Sequence, residues 1–333
     1  MTALAQGQRP SDFPVDFFVC DIFAAAPKTD MGSMEHPMFS LATRPDRTIR
    51  HYTRGDVQIT VTPSVRGRAT IHDKDILIYC ISQLMAALNA GRTIARKLTL
   101  TAHDLLTATR RDTGGDSYAR LTEAFERLAG TRITTNITTG DEETTSGFGL
   151  IEAWEIVRKS RGGRMVSVSV TLSEWLFRAV QAKSVLTLSR DYFGLRKPLE
   201  RRIYEIARKH CGQQRLWRAS VATLHEKAGS DAPLRVFRAA LRRMIADDNL
   251  PDYALAEESG DIICVTRRGL SADQAGIRPL KPETLEDARR IAPGMDVHAL
   301  EAEWRGFWAA SGRPVLRSAD AAFLGWLKGR VAR

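Results

Sequence analysis

Apolar positions along this chain change period several times, and each change marks an element. "DVQITVTPSV" (56–65) alternates apolar and polar residues, so residues 47–71 read as two or three short strands with Gly55 and Gly67 at turns. "DKDILIYCISQLMAALNAG" (73–91) switches to helical spacing and stops at Gly91. "TAHDLLTATR" (101–110) predicts a helix with Thr101 as N-cap, and "RDTGGDS" a turn. "SYARLTEAFERLAG" (117–130) then places Leu121, Phe125 and Leu128 on one stripe. "TRITTNITT" and "FGLIEAWEIV" read as strands around a polar tip, "GDEETTSG". Helix, turn, helix and hairpin is the winged-helix order.

The order recurs. "VSVSVTL" is a strand and "SEWLFRAVQAK" a helix capped by Ser173. "KPLERRIYEIARKHCG" carries Pro198 in its first turn and stops at Gly212. "SVATLHEKAG", the turn "SDAP", "LRVFRAALRRMIADDN" and "DYALAEESGDIICVTRR" repeat helix, turn, helix, hairpin, with Phe237 in the place of Phe125. The expected fold is α+β, mostly helical. It comprises a disordered start (1–11), a first winged-helix domain (12–158), a second (159–269), a linker (270–282) and a small helical module (283–333).

Length supports this division, since 333 residues exceed one ordinary domain. The formal charge of +10 points to a polyanionic partner. A membrane surface would fit the same balance, but the sequence shows no basic amphipathic terminus and no lipidation motif. Residues 76–88 are too short to span a bilayer, and the N-terminus lacks the basic start and apolar run of a signal peptide. The chain reads as cytoplasmic. Cys20, Cys80, Cys211 and Cys264 are scattered and read as small buried hydrophobes, and the seven histidines form no ligand pair. Neither a metal nor a cofactor is expected.

Charge is concentrated locally. Residues 190–243 hold 14 Lys/Arg against 5 Asp/Glu. At about 100° per residue, Arg235, Arg238 and Arg242 fall within roughly 60° of arc. Leu234, Phe237, Leu241, Met244 and Ile245 gather on the other side, and Arg243 lies off the ridge. On the second helix of a helix-turn-helix, such a ridge reads base edges and phosphates in the major groove. Arg196, Lys197, Arg201 and Arg202 are expected to extend it. The first unit offers Ser117, Arg120 and Arg127 beside an acidic wing tip, so fewer DNA contacts are expected there. In the tail, Trp304, Phe307, Trp308, Phe323 and Trp326 sit at helical spacings. They fit either a small aromatic core or a surface where Trp304, Trp308 and Trp326, with Arg305, Arg313 and Arg317, meet single-stranded DNA or a partner.

Three strings carry a family resemblance: "SMEHPMFSL" (33–41), "ITVTPSVRGRATIHDKDILIYCISQLM" (59–85) and "DYFGLRKPLERRIYEIARKHCG" (191–212). They resemble the plasmid replication initiator protein A family of proteobacteria, over roughly residues 12–268. The resemblance implies two winged-helix domains that recognise repeats in double-stranded origin DNA, help open the origin and repress the initiator's own promoter. It also implies a switch between monomer and dimer. The tail, with "EWRGFW" and "DAAFLGWLKGR", is similar to C-terminal elements of primosomal and phage replication proteins that bind single strands or help recruit the helicase. The host helicase, its loader or the host initiator is then the expected protein partner.

Catalysis finds no support in the sequence. No Gly-x-x-x-x-Gly-Lys-Ser/Thr loop is present, and "GFG" (147–149) lacks a third glycine. Tyr192 and Tyr204 have no histidine pair to make a metal-dependent nicking site, and "HYTR" (51–54) lies in a predicted hairpin. The chain reads as a DNA-binding initiator and not an enzyme. A transcription repressor of the same fold is the alternative.

Overall fold

The computed structural model describes residues 26–54, 57–139, 142–158, 165–268, 280–292, 295–311, 316 and 318–331. The start at 1–11 and most of the linker at 270–282 lie outside these residues. Among the described residues the first elements are strand β1 (Lys28–Asp30) and one turn of helix, α1 (Met31–Glu35), where Asp30 accepts from Ser33 N at 2.6 Å. Strands β2 (Arg50–Arg54) and β3 (Val57–Thr62) form the predicted hairpin.

The first winged-helix unit is built on α2 (Lys74–Asn89), β4 (Lys97–Leu100), α3 (Ala102–Ala108) and α4 (Gly115–Gly130). Thr101 caps α3 as expected, accepting from Asp104 N at 3.1 Å. The next strands depart from the sequence reading. β5 (Arg132–Thr139) pairs with β6 (Glu142–Gly149) and with β3, giving a separate sheet in the order β2-β3-β5-β6. β7 (Ile151–Arg158) pairs with β8 (Met165–Leu172), and β8 with β4, in the order β4-β8-β7.

The wing of the first unit is therefore β7–β8. Residues 142–147 of the acidic segment belong to a different sheet, and the expectation that this segment forms the wing is corrected. "FGLIEAWEIV" reads as one strand because its apolar pattern runs through the break. The chain changes sheets at Leu150, which is buried at 1% exposure. "VSVSVTL" also moves. Expected to open the second unit, it is β8 and completes the first. Val168, Val170 and Leu172 share the first core with Leu176, Phe177 and Val180 of α5 (Glu174–Gln181), so that unit extends past 158 to the end of α5.

The second unit repeats the design. β9 (Val185–Thr187) and a 3-10 turn (Arg190–Gly194) lead into α6 (Pro198–His210), β10 (Leu216–Ser220), α7 (Val221–Ala228) and α8 (Leu234–Asp247). β11 (Tyr253–Glu258) and β12 (Ile262–Arg267) form its wing. The sheet order β10-β12-β11 matches β4-β8-β7 in topology, with the strand before the helix pair beside the last strand. Phe125 and Phe237 are both fully buried, each on the second helix of its pair.

Two features fuse the units. β1 pairs antiparallel with β9, Lys28 opposite Thr187, and Met34 enters the second core. The N-terminal segment thus belongs to the second unit although it precedes the first. Helix α2 is buried on nearly every side because it serves both cores, with Ile78 in the second and Ile76, Leu77 and Ile81 in the first.

Buried charges join the units at a seam along α2 and tie the N-terminal segment to α6. Lys74 meets Glu205 at 2.8 Å, and Arg201 donates to Asp75 at 2.5 Å. Arg202 donates to the carbonyls of Ser33, Met34 and Lys227. Removing one member of a buried pair costs about 3–5 kcal/mol, because its partner is left charged and dry. Gly229 closes the contact, since at φ +63 a Cβ there would sit 2.4 Å from Pro37.

The tail folds as α9 (Pro282–Ile291), α10 (Val297–Ala310) and α11 (Ala319–Val331). Asp296 caps α10 and also faces the second unit, 3.7 Å from Lys28 Nζ and accepting a hydrogen bond from Thr187. Among the described residues, no helix is long and apolar enough to cross a membrane.

Candidate nucleic-acid interface

Helix α8 exists because its apolar residues recur at helical spacing, and that stripe fixes which side is left outside. Phe237, Leu241 and Met244 point into the second core. Opposite them, Arg235, Ala239, Arg242 and Ala246 form an exposed line. Ala239 keeps this line low between the Arg235 and Arg242 guanidiniums, and Ala246 ends it.

The arginines of α8 differ in their surroundings. Arg235 and Arg243 are exposed and have no ion-pair partner among the described residues. Arg238 turns to the wing and donates from Nε to Asp261 Oδ1 at 2.8 Å and from Nη2 to Oδ2. Arg242 grips Glu257 with both contacts at 2.8 Å. The paired guanidiniums hold both carboxyls below the usual carboxylate range. These wing acids were missed in the sequence. The stretch "EESGD" (257–261) between two strands is the signal that marks them.

Beside α8, Arg196 is exposed and without an ion pair among the described residues, while Lys197 is exposed and shared between Glu200 and Asp247. Arg201 and Arg202 do not extend the ridge. Both are only 3% exposed, on the inner side of α6, and this expectation is corrected. Arg201 donates to Leu195 O and Asp75, and Arg202 is consumed by backbone carbonyls and Glu205. Arg208 and Lys227 are buried as well, so part of the local charge excess is interior.

In the first unit, only Arg120 of the expected α4 residues stands exposed without an ion pair among the described residues. Ser117 is buried under the helix start, and Arg127 is held by both oxygens of Asp73 at 2.8 Å. These two are withdrawn from the interface. Its wing carries positive charge instead. The connection between β7 and β8 contains Lys159, Arg161 and Arg164, which lie outside the described residues.

The tail aromatics separate into two groups. Trp304 and Trp308 are buried at 2% and 8% with Phe323 and Leu327, so the core reading holds for them and the ligand-facing one is corrected. Arg305 folds back on Glu301 at 2.7 Å. Phe307, at 56% exposure, stands 6.4 Å from the half-buried Trp326, over which Arg330 lies at 5.5 Å. Arg313 and Arg317 lie outside the described residues. Cys80, Cys211 and Cys264 are buried thiols, with Cys80 pushed up to about 12 by its burial.

Comparison with known proteins agrees with this architecture. Residues 28–255 match the family described as "Replication initiator protein A". A protein of Wigglesworthia glossinidia brevipalpis named "Putative replication protein" is 40% identical over 258 residues, which cover 76% of this chain and 94% of that one. Among solved structures, domains 2 and 3 of RctB superpose with a TM-score of 0.53, covering 68% of this chain and 92% of theirs. At 13% identity that likeness is one of fold. The span of the family match and the identity to its relative leave one conclusion: this chain belongs to the replication initiator protein A family.

Proposed function

We propose that the chain is a sequence-specific DNA-binding plasmid replication initiator in which α8 lies in the major groove of repeated origin sites. The observation that carries this reading is the exposed line Arg235, Ala239, Arg242, Ala246, with the exposed Arg243 off its flank. Arg235 and Arg243 supply charge for phosphates or guanine edges. The first unit adds Arg120 and the basic connection of its wing, a second contact on the duplex.

In the same reading, binding energy drives opening of the origin, since bent or unstacked DNA is stabilised by the extra contacts it permits. The α9–α11 module presents Phe307 and Trp326 to single-stranded DNA or to the host helicase, its loader or initiator. Repression of the initiator's own promoter and a monomer–dimer switch complete the proposal.

Fluorescence anisotropy with a duplex selected by the full chain from a randomised pool tests it. R235E/R243E is expected to weaken binding on the order of a hundredfold at 0.1 M salt, with a salt slope shallower by about 2. Equal affinity for selected and scrambled duplexes in the wild type would overturn the assignment.

A further inference from the structure

Two ion pairs join α8 to its wing, Arg238 to Asp261 and Arg242 to Glu257. Each is fork on fork: Nε and Nη2 of one arginine against both oxygens of one carboxylate. That is the same arrangement a guanidinium adopts on a phosphate or on a guanine edge. Ion pairs at a solvated surface usually add little to folding, and this two-point geometry is the case in which they add most.

The local backbone does not require the acids. Gly260 and Asp261 form a tight turn with φ +79 and φ +62, and asparagine suits such a position as well as aspartate. Glu257 stands opposite Ile263 in the ladder, two residues after the core residue Leu255, so it shares the sheet face turned to α8. The fold thus aims two carboxylates at two reading arginines in places where neutral residues would serve the turn and the strand.

We propose that Glu257 and Asp261 are specificity-determining residues, internal stand-ins for phosphate that keep Arg242 and Arg238 from random-sequence DNA. The inference rests on α8 being the reading helix. Phosphate contacts supply affinity regardless of sequence, through release of counterions. On random DNA, moving these arginines from carboxylate to phosphate exchanges one anion for another and leaves the wing acids facing the backbone charges. A neutral base edge with paired acceptors, such as guanine O6 and N7, draws the guanidinium without that repulsion. Specificity then comes from what is made unfavourable as well as from what is bound. Arg235 and Arg243 remain available for the first encounter.

The test compares the full chain with E257Q/D261N on a wild-type-selected duplex and on its scrambled counterpart, across a salt series. The expected result is a gain of about tenfold or more on scrambled DNA at 0.1 M salt, with a salt slope steeper by about 2. Affinity for the selected site should change less than threefold, so the specificity ratio falls. D261N alone preserves the turn, and its unchanged melting temperature separates these effects from misfolding.

Selection that enriches no sequence would sink the reading of α8 itself, and this inference with it. A selected site bound by the wild type, with equal slopes and ratios in the double variant, would overturn the inference alone. So would loss on the selected site with no gain on scrambled DNA, because the acids would then touch or position the specific contact.

Discussion

His72 sits just before α2, and burial together with the charges of Arg201 and Arg111 pushes its imidazole down to about 4. An unfolded histidine titrates near 6.5. Between these values the unfolded chain binds a proton that the folded chain refuses. The stabilisation is complete above about pH 6.5 and is lost as pH falls toward 4. Urea midpoints measured from pH 7.5 to 4.5 should therefore fall, and H72Q should flatten that decline; identical slopes would contradict it. The same seam shows why individual residues were only partly legible. Arg201, Arg202, Arg235 and Arg243 are chemically alike, and periodicity assigns a face only relative to a core it can see. On α8 one apolar stripe left one side free. On α6 both sides are covered, because α1, α2 and α7 close over it, and no pattern within α6 announces those neighbours.

At the scale of elements, the helices and the hairpins β2–β3 and β11–β12 were legible, and the strand pairing of the first unit was not. Caps at Thr101 and Ser173, Pro198 in the first turn of α6 and the stops at Gly91 and Gly212 all appear as read. Strand pairing depends on which segment returns, and a helix-turn-helix followed by two hairpins offers two candidate wings. The sequence reading chose the nearer one. The structure uses the farther, and the electrostatic sign of the first unit changes with it. K159E/R161E/R164E is expected to reduce affinity for origin duplex by tenfold or more, in proportion to the phosphates no longer neutralised. Neutralising Glu142 and Glu143 should change it by less than twofold. Filter binding at two salt concentrations decides between the wings, and the reverse ranking would restore the acidic hairpin to that role.

At the scale of the whole molecule, the duplication was legible from the repeated order of elements, and the boundary between units was not. A boundary placed at 158 would cut β7 from β8, and no fragment beginning after 183 contains β1 or α1. The α9–α11 module has its own core around Trp304 and Phe323 and meets the rest through Asp296, Lys28 and Thr187. Deleting residues 281–333 should leave duplex affinity within about threefold and abolish plasmid replication in a transformation assay, while a promoter reporter stays repressed. Replication that survives the deletion would assign the module no part in initiation.

The pairing of β1 with β9 also sets a timetable for synthesis. The partners Lys28 and Thr187 are 159 residues apart. At roughly 5–20 residues per second, β9 leaves the ribosome on the order of ten to thirty seconds after β1. Glu35 waits longer still for Lys227. During that interval the first unit can close around its own strands, and Met31 and Met34 have no second core to enter. β1 and α1, made before the whole of the first unit, are thus among the last elements to be folded. A ribosomal pause before residue 187 would lengthen the period in which β1 and α1 are exposed to chaperones and proteases.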